Sequence, residues 1–285
     1  MRYAYYPGCS LQATAREYDS SLRAVCQRLG MELPVVEDWN CCGATPASTI
    51  DPLLALALAA RDLVAVERQG LTMMTPCPAC YKNMRKANKA LKDQSLRRQV
   101  NEILGGMGLQ GNPEVRHPLD IIVNDVGLDN IPVEKPLAGL KVACYYGCLI
   151  TRPRDGFDSP ENPQSMDRLV EALGAEAVPF PYKTKCCGGA VFLPKAEVAL
   201  ELTSKVLASA KAAGANCVAV GCPFCHLLLD MYQGKVEAHT GMTFDLPIFY
   251  FSQLMGLAMG VDEKELELER LAVSPAPLLK AFAWR

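Results

Sequence analysis

The chain has 285 residues, half of them hydrophobic and 21% charged, which is the composition of a globular protein long enough for two domains. Its formal net charge of -2 lacks the basic excess typical of nucleic-acid-binding proteins, so no nucleic-acid partner is expected. The N-terminus shows no apolar run of signal-peptide length, and the most apolar stretch, residues 52–60, is too short to span a bilayer. We therefore expect a cytoplasmic protein without membrane contact.

The thirteen cysteines are the most unusual feature of the composition. Their number is odd, and disulfide frameworks belong mainly to small secreted domains in oxidising compartments. A cysteine-rich chain without an export signal is more typical of a metal-binding or redox-active protein. Three cysteines outside the motifs described below, Cys26, Cys144 and Cys217, lie in predicted apolar elements and are expected to pack in the core. For Cys144, four residues before Cys148, a supporting role next to metal-binding cysteines is the alternative.

In the first half of the chain, predicted strands and helices alternate with cysteine motifs. The first strand ends at a Gly-Cys turn containing Cys9, and the pair Cys41-Cys42 follows the first helix. The last strand runs into a C-P-x-C sequence that begins at Cys77, where another helix starts. In chain order the predicted elements are strand 3–6, helix 20–29, helix 51–69 and strand 71–75.

The second half repeats this order. Its predicted elements are strand 142–146, helix 165–173, helix 195–213 and strand 217–220. In both halves 34 residues separate the cysteine pair from the C-P-x-C sequence, and Cys186 lies 145 positions after Cys41. Such a fixed offset indicates an internal duplication. The halves differ mainly in a polar insertion near residues 92–114 of the first.

Alternating strands and helices predict an α/β fold with two tandem, pseudo-symmetric Rossmann-like domains, each built on a parallel sheet. We expect the domains to span residues 1–138 and 139–285, the second including a C-terminal tail. Ligands of such sheets bind at the carboxyl ends of the strands. Cys9, Cys77, Cys148 and Cys222 all follow predicted strands, so each half is expected to gather its cysteines at one sheet edge.

Thiolates in this number suit an iron–sulfur cluster, a zinc ion or a dithiol redox pair. Structural zinc takes four ligands, often from two C-x-x-C elements, whereas each half here offers five cysteines and one such element. Adjacent cysteines reach different irons of a cluster more easily than they chelate one ion. Glycines such as Gly43 and Gly188 free backbone N–H groups to point at sulfur. The residues favour iron–sulfur clusters and leave zinc and a dithiol pair as alternatives.

The duplicated pattern C-x(31–37)-C-C-G-x(33)-C-P-x-C resembles the cysteine-rich CCG domain of the heterodisulfide reductase B-subunit family, over nearly the whole chain. The resemblance implies two 4Fe-4S clusters of a non-cubane type, each bound by five cysteines, with no flavin or NAD site in this chain. The matching ligand positions are Cys9, Cys41, Cys42, Cys77 and Cys80 in the first half and Cys148, Cys186, Cys187, Cys222 and Cys225 in the second.

The resemblance also implies an oxidoreductase acting on sulfur groups, which reduces or forms a disulfide or related substrate between its two clusters. Electrons would arrive through a ferredoxin-like iron–sulfur subunit, itself supplied by a flavin-containing subunit. Two alternatives stay open. The first is an electron-relay subunit of a dehydrogenase, bifurcating or quinone-linked complex, and the second is a zinc-stabilised interaction module.

The surroundings of the two cysteine sets differ. Lys185 and His226 flank second-half cysteines where the first half has Asn40 and Tyr81. Lys185 and His226 are therefore candidate catalytic residues, able to hold positive charge or donate hydrogen bonds near the second cluster. Basic residues near the second-half cysteines are expected to bind the anionic tail of a substrate, although a solvated basic surface gives the same pattern: Arg152, Arg154, Lys183 and Lys185.

Overall fold

The computed structural model describes residues 1–44, 47–153 and 155–281. The strands are β1 (Ala4–Tyr5), β2 (Met73–Met74), β3 (Val115–Arg116), β4 (Lys141–Tyr145), β5 (Glu176–Ala177), β6 (Cys217–Val220) and β7 (Ile248–Tyr250). The helices are α1 (Gly8–Gln12), α2 (Arg16–Arg28), α3 (Ala47–Ile50), α4 (Pro52–Gln69), α5 (Pro78–Ala90), α6 (Gln94–Ile103), α7 (Pro118–Ile121), α8 (Ser165–Ala172), α9 (Ala196–Ala212), α10 (Pro223–His226), α11 (Gln233–Thr240), α12 (Phe251–Ala258) and α13 (Ala276–Ala281). The predicted α/β class with parallel sheets is confirmed.

The chain forms two compact units that are not contiguous in sequence. The first contains residues 1–13 and 30–118, and the second contains residues 14–29 and 119–285. Packing thus assigns α2 to the second unit, although α2 lies in the first half of the sequence. The limits of the duplicated sequence domains, 1–138 and 139–285, stay a prediction.

The first unit contains a parallel sheet in the order β1-β2-β3. Parallel bridges from Arg2 to Glu32 and from Tyr5 to Val35 place an extended segment on the other side of β1. The long helix α4 begins where the Asp51 carboxylate accepts the N–H groups of Leu53 and Leu54, and it ends at Gly70 in the left-handed conformation. The polar insertion predicted near residues 92–114 contains α6.

The second unit contains a parallel sheet in the order β5-β4-β6-β7. The order matches the first unit when the extended segment around Glu32 is counted as the outer position beside β1. The strand β6 is buried at every position, as expected for a central parallel strand. Both sheets are therefore built on one plan, which is what the duplicated sequence predicts.

The helix α2 packs into the second unit through its apolar face. The ring of Tyr18 stacks on Tyr250 with centroids 4.1 Å apart, and the Ser21 and Ser252 hydroxyls are 2.7 Å apart. Leu22, Val25 and Cys26 of this face are fully buried. The sequence pattern predicted the helix and its apolar face, but periodicity alone does not specify which unit covers that face.

Candidate metal centre

The topology of each unit brings its cysteines to the carboxyl edge of the sheet. In the first unit, Cys9 lies in α1 just after β1, and Cys77 precedes α5 just after the parallel neighbour β2. In the second unit, Cys148 follows β4 and Cys222 follows the parallel neighbour β6. Proline at the first position of α5 and α10 fits a helix start, because its missing N–H has no partner there in any case.

The first cradle consists of Cys9, Cys41, Cys42, Cys77 and Cys80. The Sγ atoms of Cys42 and Cys80 are 3.2 Å apart. Hydrogen bonding to Cys42 and Cys77, together with burial, raises the pKa of Cys80 well above its ordinary value. Burial and the neighbouring thiol of Cys41 raise the pKa of Cys9. The five thiols thus act on one another, and a bound cation would relieve the cost of deprotonating them together.

The second cradle consists of Cys148, Cys186, Cys187, Cys222 and Cys225, in the same arrangement. The Sγ atoms of Cys187 and Cys225 are 3.6 Å apart. Hydrogen bonds from Cys148 and Cys187 lower the pKa of Cys186. The N–H groups of Gly188 and Gly189 donate to the Cys186 and Cys187 sulfurs, at 3.4 Å in each case. Backbone donors at this cradle therefore stabilise negative charge on sulfur.

Each cradle has a buried back and an open front. Cys42, Cys77 and Cys80 are buried, whereas Cys9 and Cys41 are exposed. The second cradle repeats the division: three cysteines, Cys187, Cys222 and Cys225, are buried, and the remaining two are partly exposed. The open front is formed in both cradles by the first cysteine and the first member of the pair.

These donor sets fit an iron–sulfur cluster. Each set consists of sulfur alone, the soft ligand that clusters take. In the first cradle the sulfur of Cys80 contacts those of Cys42 and Cys77, and the sulfur of Cys9 contacts that of Cys41. Within the described ranges, no three His, Cys, Asp or Glu side chains are arranged to hold a single metal ion.

Two tyrosines and two glycines complete the cradles, and the sequence motifs did not single them out. Tyr6 and Tyr145 are buried and donate hydrogen bonds to the loops that carry the cysteine pairs. A Cβ atom on Gly8 would lie 3.2 Å from the Cys80 sulfur, and one on Gly147 would lie 3.0 Å from the Cys225 sulfur. The signal was present in the sequence, because Tyr-x-Gly-Cys ends the first strand of both halves.

The predicted anion-binding residues lie in different surroundings. Arg152 and Lys185 are exposed, and the charge of Arg152 acts on the thiols of Cys148 and Cys186. Lys183 is buried, with its Nζ atom 3.3 Å from the carboxylate of Asp167, so its charge is already paired. Arg154 lies outside the described residues. Substrate binding by these four residues stays a prediction.

His226 lies in the core behind the second cradle. Its Nε2 atom is 3.0 Å from the Ile248 carbonyl oxygen, and its ring stacks on Tyr250 at 4.2 Å. Burial lowers the pKa of His226 to about 4, so the ring carries no positive charge near neutral pH. Lys185 is therefore the charged member of the two candidate catalytic residues.

In the first unit a tyrosine and a histidine occupy the two equivalent positions, but with the two residue types exchanged. Tyr81 takes the helix position of His226, and His117 follows β3 as Tyr250 ends β7. The Tyr81 and His117 rings are 6.2 Å apart in an edge-to-face contact. A tyrosine–histidine pair thus lies behind the C-P-x-C turn in both units. A comparison of Tyr81 with His226 alone does not reveal this shared pair.

The three remaining cysteines are buried away from both cradles. Cys26, Cys144 and Cys217 are at most 1% exposed. Burial raises the pKa of Cys26 to about 12 and raises those of Cys144 and Cys217. These thiols are neutral at ordinary pH, as expected for core cysteines.

A buried carboxyl group supports the loop of the first cysteine pair. Asp62, 1% exposed, accepts the Asn40 N–H at 2.9 Å, and the equivalent position 145 residues later is Leu207. Burial raises the pKa of Asp62 from 3.8 to about 7, against the lowering effects of the Asn40 N–H and Arg61. The folded protein therefore retains a proton that the unfolded chain releases, so Asp62 makes stability fall as the pH rises from about 4 to about 7.

We expect Asp62→Asn to reduce this pH dependence. One such group changes the free energy of unfolding by up to about 1.4 kcal/mol per pH unit. Urea unfolding of the reduced protein at about pH 4 and about pH 7 measures the change in the free energy of unfolding across this range. Asp51→Asn is the control, because it makes the same carboxyl-to-amide change at an exposed helix N-cap, where asparagine caps about as well as aspartate. An unchanged pH slope in Asp62→Asn would contradict the assignment.

The fold and the two cradles define a class of protein: a tandem α/β protein with five cysteines gathered at the sheet edge of each unit. The family model named CCG, cysteine-rich domain, matches residues 3–85 and 142–230. The chain belongs to this family as a duplicated member of the heterodisulfide reductase B-subunit type. It is an iron–sulfur subunit of an oxidoreductase complex.

Curated relatives match over almost the full length. The 8-methylmenaquinol:fumarate reductase membrane anchor subunit of Wolinella succinogenes is 37% identical, over 97% of this chain and 98% of the relative. The B subunit of the ferredoxin:CoB-CoM heterodisulfide reductase of Methanosarcina mazei is 32% identical, over 95% and 94%. A protein of Archaeoglobus profundus described as like the heterodisulfide reductase B subunit is 30% identical, over 93% of both chains.

A solved structure supports the fold alone. A hypothetical protein from Helicobacter pylori superposes with a TM-score of 0.81 over 96% of this chain, at 13% sequence identity. This chain spans 52% of the length of that protein. In the described part of the chain, no helix combines the length and apolar character needed to cross a membrane.

Proposed function

We propose that each cradle binds one non-cubane 4Fe-4S cluster and that the two clusters reduce, or in the opposite direction form, a disulfide or related sulfur substrate. The observation that carries this proposal is the repeated division of each cradle into three buried and two more accessible cysteines. The buried cysteines provide a fixed support, and the accessible front leaves room for a substrate sulfur. A cluster, when bound, supplies electrons one at a time and offers iron atoms to which a substrate sulfur can bind.

Reduction of a disulfide consumes two electrons and two protons and yields two thiols. The protein contributes binding and orientation to this reaction. Arg152 and Lys185 are exposed near the second cradle, and Arg152 acts on the thiols of Cys148 and Cys186. We propose that they bind an anionic tail of the substrate, with Lys183 held in its ion pair with Asp167.

The electrons come from partner subunits in this proposal. We propose a ferredoxin-like subunit with cubane clusters as the direct donor, which in turn receives its electrons from a flavin-containing subunit. Support comes from the relatives, which are named as subunits of heterodisulfide and fumarate reductases. The chain itself shows no flavin or nicotinamide motif.

A second candidate function is electron relay within a quinone-linked reductase. The observation that favours it is the 37% identity, across 97% of this chain, to the subunit of an 8-methylmenaquinol:fumarate reductase. The two functions use the same ten cysteines, so the cradles alone do not separate them. They differ in whether a sulfur substrate reacts at the clusters or electrons only pass through.

Anaerobic co-purification of the native complex, followed by two assays, separates the candidates. We expect the complex to contain an additional iron–sulfur subunit and to cleave a mixed disulfide when supplied with reduced viologen dye. Arg152→Ala should weaken binding of a disulfide with an anionic tail more than that of a neutral one. A complex that oxidises a menaquinol analogue and leaves every disulfide intact would support the relay function instead. A colourless protein containing zinc would contradict both.

A further inference from the structure

Two tyrosines occupy equivalent places in the two cradles. The Tyr6 hydroxyl donates to the carbonyl oxygen of Asn40 at 2.6 Å, and the Tyr145 hydroxyl donates to that of Lys185, also at 2.6 Å. In each unit the accepting residue immediately precedes the cysteine pair. Both tyrosine side chains are at most 1% exposed, and the two hydrogen bonds are partly buried.

In each cradle one glycine lies close to both the tyrosine ring and a cysteine sulfur. A Cβ atom on Gly8 would be 3.3 Å from the Tyr6 ring and 3.2 Å from the Cys80 sulfur. A Cβ atom on Gly147 would be 3.7 Å from the Tyr145 ring and 3.0 Å from the Cys225 sulfur. Each ring therefore shares a glycine-lined wall of its cradle with one of the cysteine sulfurs.

The hydroxyl fixes the orientation of one peptide group. The carbonyl of Asn40 and the N–H of Cys41 belong to the same planar trans peptide and point in opposite directions. Holding the carbonyl therefore also sets the direction of the Cys41 N–H and of the chain entering the pair. Because a partly buried carbonyl that loses its donor is less favourable, loss of the hydroxyl leaves this peptide free to turn.

We propose that Tyr6 and Tyr145 are positioning residues, each of which orients the cysteine pair of its own cradle and sets the reduction potential of the cluster bound there. The proposal rests on the proposed presence of a cluster in each cradle. It adds that the two potentials are adjusted separately, because each tyrosine contacts the loop of its own unit.

The partial charges of the tyrosine hydroxyl and the carbonyl predict the direction in which removal of the hydroxyl shifts the reduction potential. With the hydroxyl present, the negative end of the carbonyl is matched by a donor. Without it, an unmatched negative dipole lies near a cluster that gains negative charge on reduction, so reduction becomes less favourable. A tenfold change in the reduction equilibrium corresponds to about 59 mV for one electron, and we expect a downward shift of about that size.

Tyr6→Phe and Tyr145→Phe test the proposal in the full chain prepared anaerobically. Tyr5→Phe is the control, since it removes a buried hydroxyl from the adjacent position, whose side chain faces the other side of the strand. Redox titration followed by electron paramagnetic resonance measures both clusters. Their signals are assigned with Cys80→Ala and Cys225→Ala, each expected to retain one cluster.

We expect Tyr6→Phe to shift the first cluster alone, Tyr145→Phe to shift the second alone, and Tyr5→Phe to shift neither. Loss of one cluster with an unchanged signal from the other would also support a positioning role confined to one cradle. Unchanged midpoints, equal shifts of both clusters, or loss of both clusters in a single variant would overturn the proposal. Absence of iron from the wild-type protein would instead overturn the proposed function.

Discussion

Replacement of Cys225 by alanine should remove the second cluster and leave the first. The Cys225 sulfur lies 3.6 Å from that of Cys187 at the buried back of the cradle, where solvent does not readily replace a lost ligand. We expect the iron content of the anaerobic protein to fall from about eight to about four atoms per chain. Iron and sulfide analysis of the purified variant measures the loss.

Cys217→Ala is the matched control for this substitution. Cys217 is also buried in the second unit, but it lies within β6 and outside the cradle. Removal of either buried thiol creates a small cavity and should cost about 1 kcal/mol of stability. Only Cys225→Ala should lose iron. Equal iron contents in the two variants, or complete loss of iron from Cys225→Ala, would show that the second cradle does not hold its own cluster.

Replacement of Gly8 by alanine should empty the first cradle. Gly8 has a φ of +69°, and the added Cβ would lie 3.2 Å from the Cys80 sulfur and 3.3 Å from the Tyr6 ring. Backbone strain alone costs about 1–2 kcal/mol at such a position. The close contact adds a second effect, because it displaces a sulfur that a cluster requires. We expect about half of the iron to be lost, together with the spectroscopic signal of the first cluster.

Gly30→Ala separates the two effects. Gly30 has a φ of +64°, nearly the same as Gly8, but an added Cβ would have no neighbouring atom within 4 Å. Gly30→Ala should therefore show the loss of stability without the loss of iron. If both variants keep their full iron content, the close approach of Gly8 to the Cys80 sulfur has no role in cluster binding.

The sequence predicted those parts of the structure that depend on local patterns. Apolar periodicity and terminal glycines predicted the helix over residues 51–69, and the structure has α4 at Pro52–Gln69 with Asp51 as its cap. Repeated spacing predicted two parallel sheets with cysteines at their carboxyl edges. These features follow from residues close together in sequence, or from the internal duplication, which is visible when the two halves of the sequence are aligned.

Other features depend on contacts that local patterns do not encode. The apolar face of α2 is visible in the sequence, but its partner Tyr250 lies more than 200 residues away and in the other half. The sequence likewise does not show what surrounds His226. Its position directly after Cys225 therefore predicted a residue able to hold positive charge near the second cluster. Its burial, which keeps the ring neutral, and its stacking on Tyr250 became evident only in the fold.

The most direct test of the account is the metal and sulfide content of the wild-type chain prepared without oxygen. If each cradle holds a four-iron cluster, analysis should give about eight iron atoms and about eight sulfides per chain, with absorption in the visible range. Stoichiometric zinc without iron, or about four iron atoms per chain that are lost equally on mutation of either cradle, would contradict the account.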